Sequence, residues 1–101
     1  MTAVQHVVLV RWRADADAAR RSAVRAGVRG LADAVPGISA LAEGPSISPE
    51  GLEQGHDYGF VVTFEDAAAR DAYLPHPDHV RVAEAIGAAA DGITVFDVAA
   101  G

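Results

Sequence analysis

Between positions 73 and 79 the chain reads Tyr-Leu-Pro-His-Pro-Asp-His, which sets one phenol and two of the protein's four imidazoles within a few residues of each other. Such groups take up and return protons near neutral pH, so acid–base chemistry is expected here. Pro75 and Pro77 bracket His76. Each lacks an N–H, fixes its own φ and pushes the residue before it towards extended backbone. A helix beginning at Asp66 should therefore end near Tyr73, and another should open with Pro77 as its first residue. His79 then lies in that helix's first turn, where the dipole disfavours imidazolium while Asp78 acts in the opposite sense. The bland alternative is a helix–loop–helix corner with solvated histidines.

These residues need a scaffold, and the periodicities supply one. Val4 to Trp12 is a β-branched run with apolar residues on both faces: Val4, His6, Val8, Val10 and Trp12 on one, Val7 and Leu9 on the other. From about Asp15 to Val35 the spacing of Val24, Val28, Leu31 and Val35 is helical, and Pro36-Gly37 stops it. A weaker strand follows near Ile38 to Glu43, then a polar loop from Ser46 to His56. Tyr58 to Phe64 is a second firm strand, with Tyr58, Phe60, Val62 and Phe64 on one side. Asp66 suits the N-cap of a short helix, 67–73, and the helix from Pro77 should run to about Ala90. Asp91-Gly92 is expected to turn the chain into a last strand, Ile93 to Val98.

The order β-α-β-β-α-(α)-β is the split βαβ, ferredoxin-like arrangement, an α+β fold occupying residues 1–101 as one domain. Its helices cover one sheet face only. The apolar residues on the other face of the first and third strands call for a cover, and a second copy of the chain would provide it as a two-fold α+β barrel.

Composition narrows the function. The net charge is −6 and half the residues are apolar, without a run long enough to span a membrane or a leader-like start. A soluble, cytoplasmic protein is expected, without a membrane role. All eight basic residues are arginine, and five of them (Arg13, Arg20, Arg21, Arg25, Arg29) crowd the first helix and its approach. On an acidic chain, without interleaved aromatics, that is a solvated helix face and not a nucleic-acid footprint. Without cysteine there is no thiolate nucleophile or cysteine metal site. His76 and His79 lie three apart, but Pro77 between them and the lack of a third ligand argue against zinc. The Pro36-Gly37-Ile38 segment offers at most a weak carbonyl site for a hard cation.

The opening His6-Val-Val-Leu-Val-Arg-Trp12, the segment Gly55-His-Asp-Tyr-Gly-Phe-Val-Val-Thr-Phe-Glu65 and the element Tyr73-Leu-Pro-His-Pro-Asp-His79 together resemble the stress-responsive A/B barrel (dimeric α/β barrel) family. The resemblance spans nearly the whole chain and is most specific at Tyr…His-Pro-x-His. It implies a ferredoxin-like homodimer with a cavity between sheet and helices. Many members are stress-associated, and a smaller set, including a plant polyketide cyclase, closes rings by aldol-type chemistry without metal or organic cofactor. In that cyclase the functional tyrosine and histidine match Tyr73 and His79; the histidine on its first strand matches His6, and the first histidine of the shared element matches His76. The chain departs from the family's usual pattern at Gly44-Pro45-Ser46-Ile47-Ser48, and from the plant cyclase at Arg25 and Val28 in the first helix, where that cyclase has aromatics, and at the small residues Ala88 to Ala90, where it has bulkier ones, so the cavity should differ in shape.

Proton abstraction beside a carbonyl needs a base and a donor for the developing enolate oxygen. His79 fits the base and Tyr73 the donor; the alternative for His79 is a capping role at the corner. His6 is expected to line the cavity as a wall residue with a hydrogen bond to ligand, in company with Val8 and Phe60. Tyr58 would be wall with a polar handle or plain core. His76 would be solvated, with a gating or substrate-contacting role as the other possibility, and His56 a surface residue. Three functions stay open: a cofactor-free enzyme acting on a small apolar or aromatic carbonyl compound, a non-enzymatic stress-associated dimer that binds a small ligand, and a cofactor-independent monooxygenase.

Overall fold

The structure, a computed structural model, describes residues 2–100. Among these residues, four strands and three helices follow in the order β1 (Ala3–Trp12), α1 (Ala18–Ala34), β2 (Ile38–Pro45), β3 (Tyr58–Phe64), α2 (Ala67–Tyr73), α3 (Pro77–Ala89) and β4 (Ala90–Ala100). The strands form one antiparallel sheet, ordered β2-β3-β1-β4. This is the ferredoxin-like fold that the periodicities predict. Among the described residues, no helix is long and apolar enough to cross a membrane.

Alternation along β1 decides which face is covered. Val4, His6, Val8, Val10 and Trp12 are all buried, as are Tyr58, Phe60, Val62 and Phe64 opposite them on β3. Onto this face α1 lays Val24, Val28 and Leu31, while α3 adds Ile86 and Ala89. The reverse face stays open. There Leu9 and, on β4, Phe96 and Val98 are exposed, with Val7 paired to both Val61 and Phe96.

Three of the boundaries that differ from expectation do so for a local reason. The first helix starts at Ala18, not near Asp15, because Asp17 is its N-cap and accepts the Arg20 N–H at 2.8 Å. β2 runs on to Pro45, since an edge strand has no inner ladder bond at that position for proline to break. Asp91-Gly92 does not make a turn. β4 follows α3 directly from Ala90, the joint is held by the Arg13 N–H on the Ala89 carbonyl at 2.9 Å, and a bulge at Arg11/Trp12 absorbs the change of register. Here the Arg11 guanidinium lies against Gly92, where a Cβ would come within 2.8 Å of it, and donates to Asp91 at 2.6 Å.

Candidate functional site

The proline corner forms as the sequence requires, and it brings the two ends of the motif together. Asp66 caps α2 by accepting the Ala69 N–H at 2.8 Å, and α2 ends at Tyr73. Pro77 is the first residue of α3. His76 is not a solvated loop histidine: its Nδ1 accepts the Asp78 N–H at 3.1 Å, which makes it the N-cap of α3. His79, one turn in, folds back so that its Nδ1 is 2.8 Å from the Leu74 carbonyl. A carbonyl only accepts, so that nitrogen carries the proton and the neutral ring keeps its lone pair on Nε2.

The Tyr73 and His79 rings lie 4.1 Å apart between centroids. Tyr73 is almost fully buried, and its hydroxyl has no hydrogen-bond partner among the described residues. Burial pushes its pKa up to about 12, so it remains an O–H donor at neutral pH. An orphaned buried hydroxyl costs about 1–3 kcal/mol and asks for an explanation.

Both residues line a cavity of about 250 Å³ between the sheet and α2/α3. Its walls are Val8, Phe60, Leu74, Val82, Ala83, Ile86, Ile93 and Val95, with His6 as the third polar group. The pairing of Val8 with Phe60 on one side and Val95 on the other makes these three a continuous floor. The cavity opens where β4 is the edge of the sheet, for Ile93 and Val95 stay about half exposed although they point to the helix side.

His6 is buried, 5.9 Å from the Tyr73 ring in an edge-on arrangement. Its Nδ1 lies 2.6 Å from an Asp97 carboxylate oxygen, and Arg70 donates to the other oxygen at 2.8 Å. Burial alone would raise the Asp97 pKa, but the hydrogen bonds from Arg70 and His6 outweigh it and hold it below the ordinary carboxylate range. Sequence reasoning did not find Asp97 or Arg70. The available signal was a lone charge inside the apolar run Ile93 to Val98.

Tyr58 and His56 lie elsewhere. Tyr58 stacks on Trp12 at 5.2 Å and lies beneath Arg25, beside a Glu43 carboxylate gripped by Arg25 and Arg29. Burial, with the Glu43 charge adding to it, pushes the Tyr58 pKa up, though the hydroxyl makes no bond of good geometry. Tyr58 borders a wider, open hollow of about 740 Å³ that extends along the uncovered sheet face to Val7, Leu9 and Val61. His56 crosses that face to Thr94, with 3.0 Å between its Nε2 and the threonine hydroxyl. The Gly37 carbonyl accepts the Glu65 N–H at 3.0 Å and is therefore already engaged, which weakens a cation site there. Among the described residues, no three His, Asp or Glu side chains gather as a metal site would need.

The family model of the stress responsive A/B barrel domain matches residues 4–100. The chain belongs to this family. A similar protein is the stress-response A/B barrel domain-containing protein HS1 of Arabidopsis thaliana, 29% identical over 94 residues, which are 93% of this chain and 86% of that protein. Among solved structures, a dimeric ferredoxin-like protein of unknown function from Jannaschia sp. is 33% identical, covers 95% of this chain with 97% of its own, and superposes with a TM-score of 0.85. A hydroxynitrile lyase from Passiflora edulis reaches a TM-score of 0.90 at 19% identity, covering 98% of this chain and 94% of its own. That second likeness is one of fold. The A/B barrel domain described here thus shares its architecture with dimeric relatives.

Proposed function

We propose that this A/B barrel domain is a cofactor-free acid–base enzyme acting on a small, apolar or aromatic carbonyl compound, in the manner of a polyketide cyclase. The observation that carries this reading is the convergence, on one apolar cavity, of a fixed imidazole acceptor and a phenol without a partner among the described residues. In the step envisaged, His79 Nε2 takes a proton from the carbon beside the carbonyl, and the electron pair moves onto the carbonyl oxygen. Tyr73 donates its hydrogen bond to that oxygen as charge develops. The enolate carbon then attacks a second carbonyl of the same molecule, and a proton returns to the new alkoxide. Atoms are conserved, so no co-reactant is needed.

The same reading includes a two-fold dimer closed through the open sheet face. Its support is the exposed Leu9, Phe96 and Val98 together with the dimeric state of the relatives.

The test is exchange of α-protons for deuterium in small ketones such as acetophenone, followed by NMR in heavy water. Wild type should accelerate exchange. Tyr73→Phe should lower the rate by about 10²–10³, the usual cost of one oxyanion donor, and His79→Ala by about 10²–10⁴. Unaccelerated exchange, or equal rates for all three proteins, would remove the enzyme reading and leave a ligand-binding stress protein.

A further inference from the structure

The acid–base reading leaves His6 as wall, yet its surroundings exceed what a wall residue requires. A buried histidine needs one partner for its N–H. His6 has a carboxylate, and that carboxylate is itself clamped: Asp97 on β4 receives Arg70 from α2 at 2.8 Å, while Arg70 donates from its Nε to Asp71 at 2.9 Å. An ionised carboxylate only accepts, so the 2.6 Å contact puts the His6 proton on Nδ1. The neutral ring then holds its lone pair on Nε2. That nitrogen has no hydrogen-bond partner among the described residues, on a side chain that lines the cavity. The Phe64 and Tyr73 rings, at 6.1 and 5.9 Å, brace the imidazole from the remaining sides.

We propose that His6 is a second acid–base residue of the cavity and that Asp97, held by Arg70, positions it. The inference rests on the acid–base reading of the Tyr73/His79 site. His6 and His79 flank Tyr73, which divides the labour of a reaction that removes one proton and supplies another. His79 Nε2 accepts the carbon-bound proton. His6, protonated from solvent on Nε2 and steadied as imidazolium by the Asp97 carboxylate, gives its proton to the substrate oxygen and becomes neutral. Solvent afterwards takes the proton from His79 and resupplies His6, so charge and atoms balance over the cycle. Arg70 serves by keeping Asp97 ionised and stationary.

Two measurements decide it. In ¹⁵N NMR of the ring nitrogens, the neutral His6 ring of the wild type should be protonated on Nδ1 and bare on Nε2. Arg70→Ala should mix the two tautomers, and Arg70→Lys should largely restore the first. In the acetophenone exchange assay, His6→Asn should lower the rate by about 10². Arg70→Ala should lower it less, with partial rescue by lysine and with thermal unfolding close to that of the wild type. Finding the neutral His6 ring with its proton on Nε2 and Nδ1 bare overturns the proposal, as do wild-type exchange rates in both His6→Asn and Arg70→Ala. Failure of the wild type to exchange overturns the Tyr73/His79 reading and this one together, whereas exchange that survives the His6 and Arg70 changes overturns this one alone.

Discussion

Tyr73 and His79 belong to different helices, yet their rings approach to 4.1 Å because His79 folds back onto the Leu74 carbonyl. The backbone of the corner thereby sets the tautomer of the imidazole. One loop carbonyl, on the residue next to the tyrosine, fixes which nitrogen of His79 is free to act.

Because both rings face a small apolar space, filling its mouth should abolish binding without harming the fold. Ala83 lines the cavity on α3 and is exposed, so Ala83→Trp should block uptake of a small aromatic ketone. Calorimetry should show lost binding, while stability changes by no more than about 0.5 kcal/mol. Binding that persists in this variant would locate the ligand elsewhere.

The uncovered sheet face should be where two copies meet. Phe96→Asp places a charge on a side chain that is 66% exposed in the single chain, so the isolated fold should tolerate it. Analytical ultracentrifugation at micromolar concentration should find a dimer for wild type and a folded monomer for the variant. A variant that stays dimeric would put the interface on another surface.

His76 should matter for stability more than for chemistry. As the N-cap of α3, its loss in His76→Ala should cost about 0.5–2 kcal/mol in denaturant unfolding. Ketone binding should be retained, because His76 is not among the residues lining the cavity.

Glu43 gives a stability term with a defined pH window. The Arg25 hydrogen bonds, which outweigh the opposing effect of burial, lower its pKa from 4.5 to about 2. A carboxyl depressed in this way stabilises the fold above its unfolded pKa and loses that contribution as pH falls through the folded value. Stability should therefore drop between about pH 4.5 and pH 2. Glu43→Gln should lose about 1–2 kcal/mol at neutral pH, at the low side because Arg25 and Arg29 are partly solvent-screened, and should flatten that acid limb. Urea melts across the pH range check both parts.

Two glycines should respond in opposite ways. Gly37 has φ +90°, and a Cβ there would come within 2.7 Å of the Ala69 Cβ, so Gly37→Ala should destabilise by about 1–3 kcal/mol. Gly30, inside α1 with open space around it, should gain about 0.4–1 kcal/mol on change to alanine. Thermal unfolding of the two variants should move in opposite directions.

The sequence made some of this legible and hid the rest for physical reasons. Two prolines bracketing one residue leave little choice of backbone, so the Tyr73–His79 corner and the start of α3 could be read locally. Alternation in β1 and β3 likewise showed which of His6, Val8 and Phe60 share a face. Asp97 and Arg70 could not be found that way, since their partnership with His6 depends on β4 pairing with β1 across 91 positions and on where α2 lands. Whether Tyr58 lines the cavity or packs in the core could not be read that way either, because sharing a face does not fix position along a strand. The capping role of His76 arises from a ring rotamer, which spacing does not specify. Asp91-Gly92 carries strong turn chemistry, but the bulge opposite it and the Arg11 side chain keep the segment extended.

The strand that borders the cavity mouth also has a bearing on solubility. β4 is an outer strand with a free row of backbone donors and acceptors, and Ile93, Val95, Phe96 and Val98 present apolar side chains on both of its faces. Such a segment is a template for cross-β growth unless something interrupts it. Asp97 is the one charge within the run Ile93 to Val98, so the carboxylate that orients His6 also acts as a gatekeeper against self-association. Replacing Asp97 with a neutral apolar residue would therefore do more than disturb a histidine: it would leave the run Ile93 to Val98 without a charge on an open edge, and such a variant should aggregate from concentrated solution where Arg70→Ala does not.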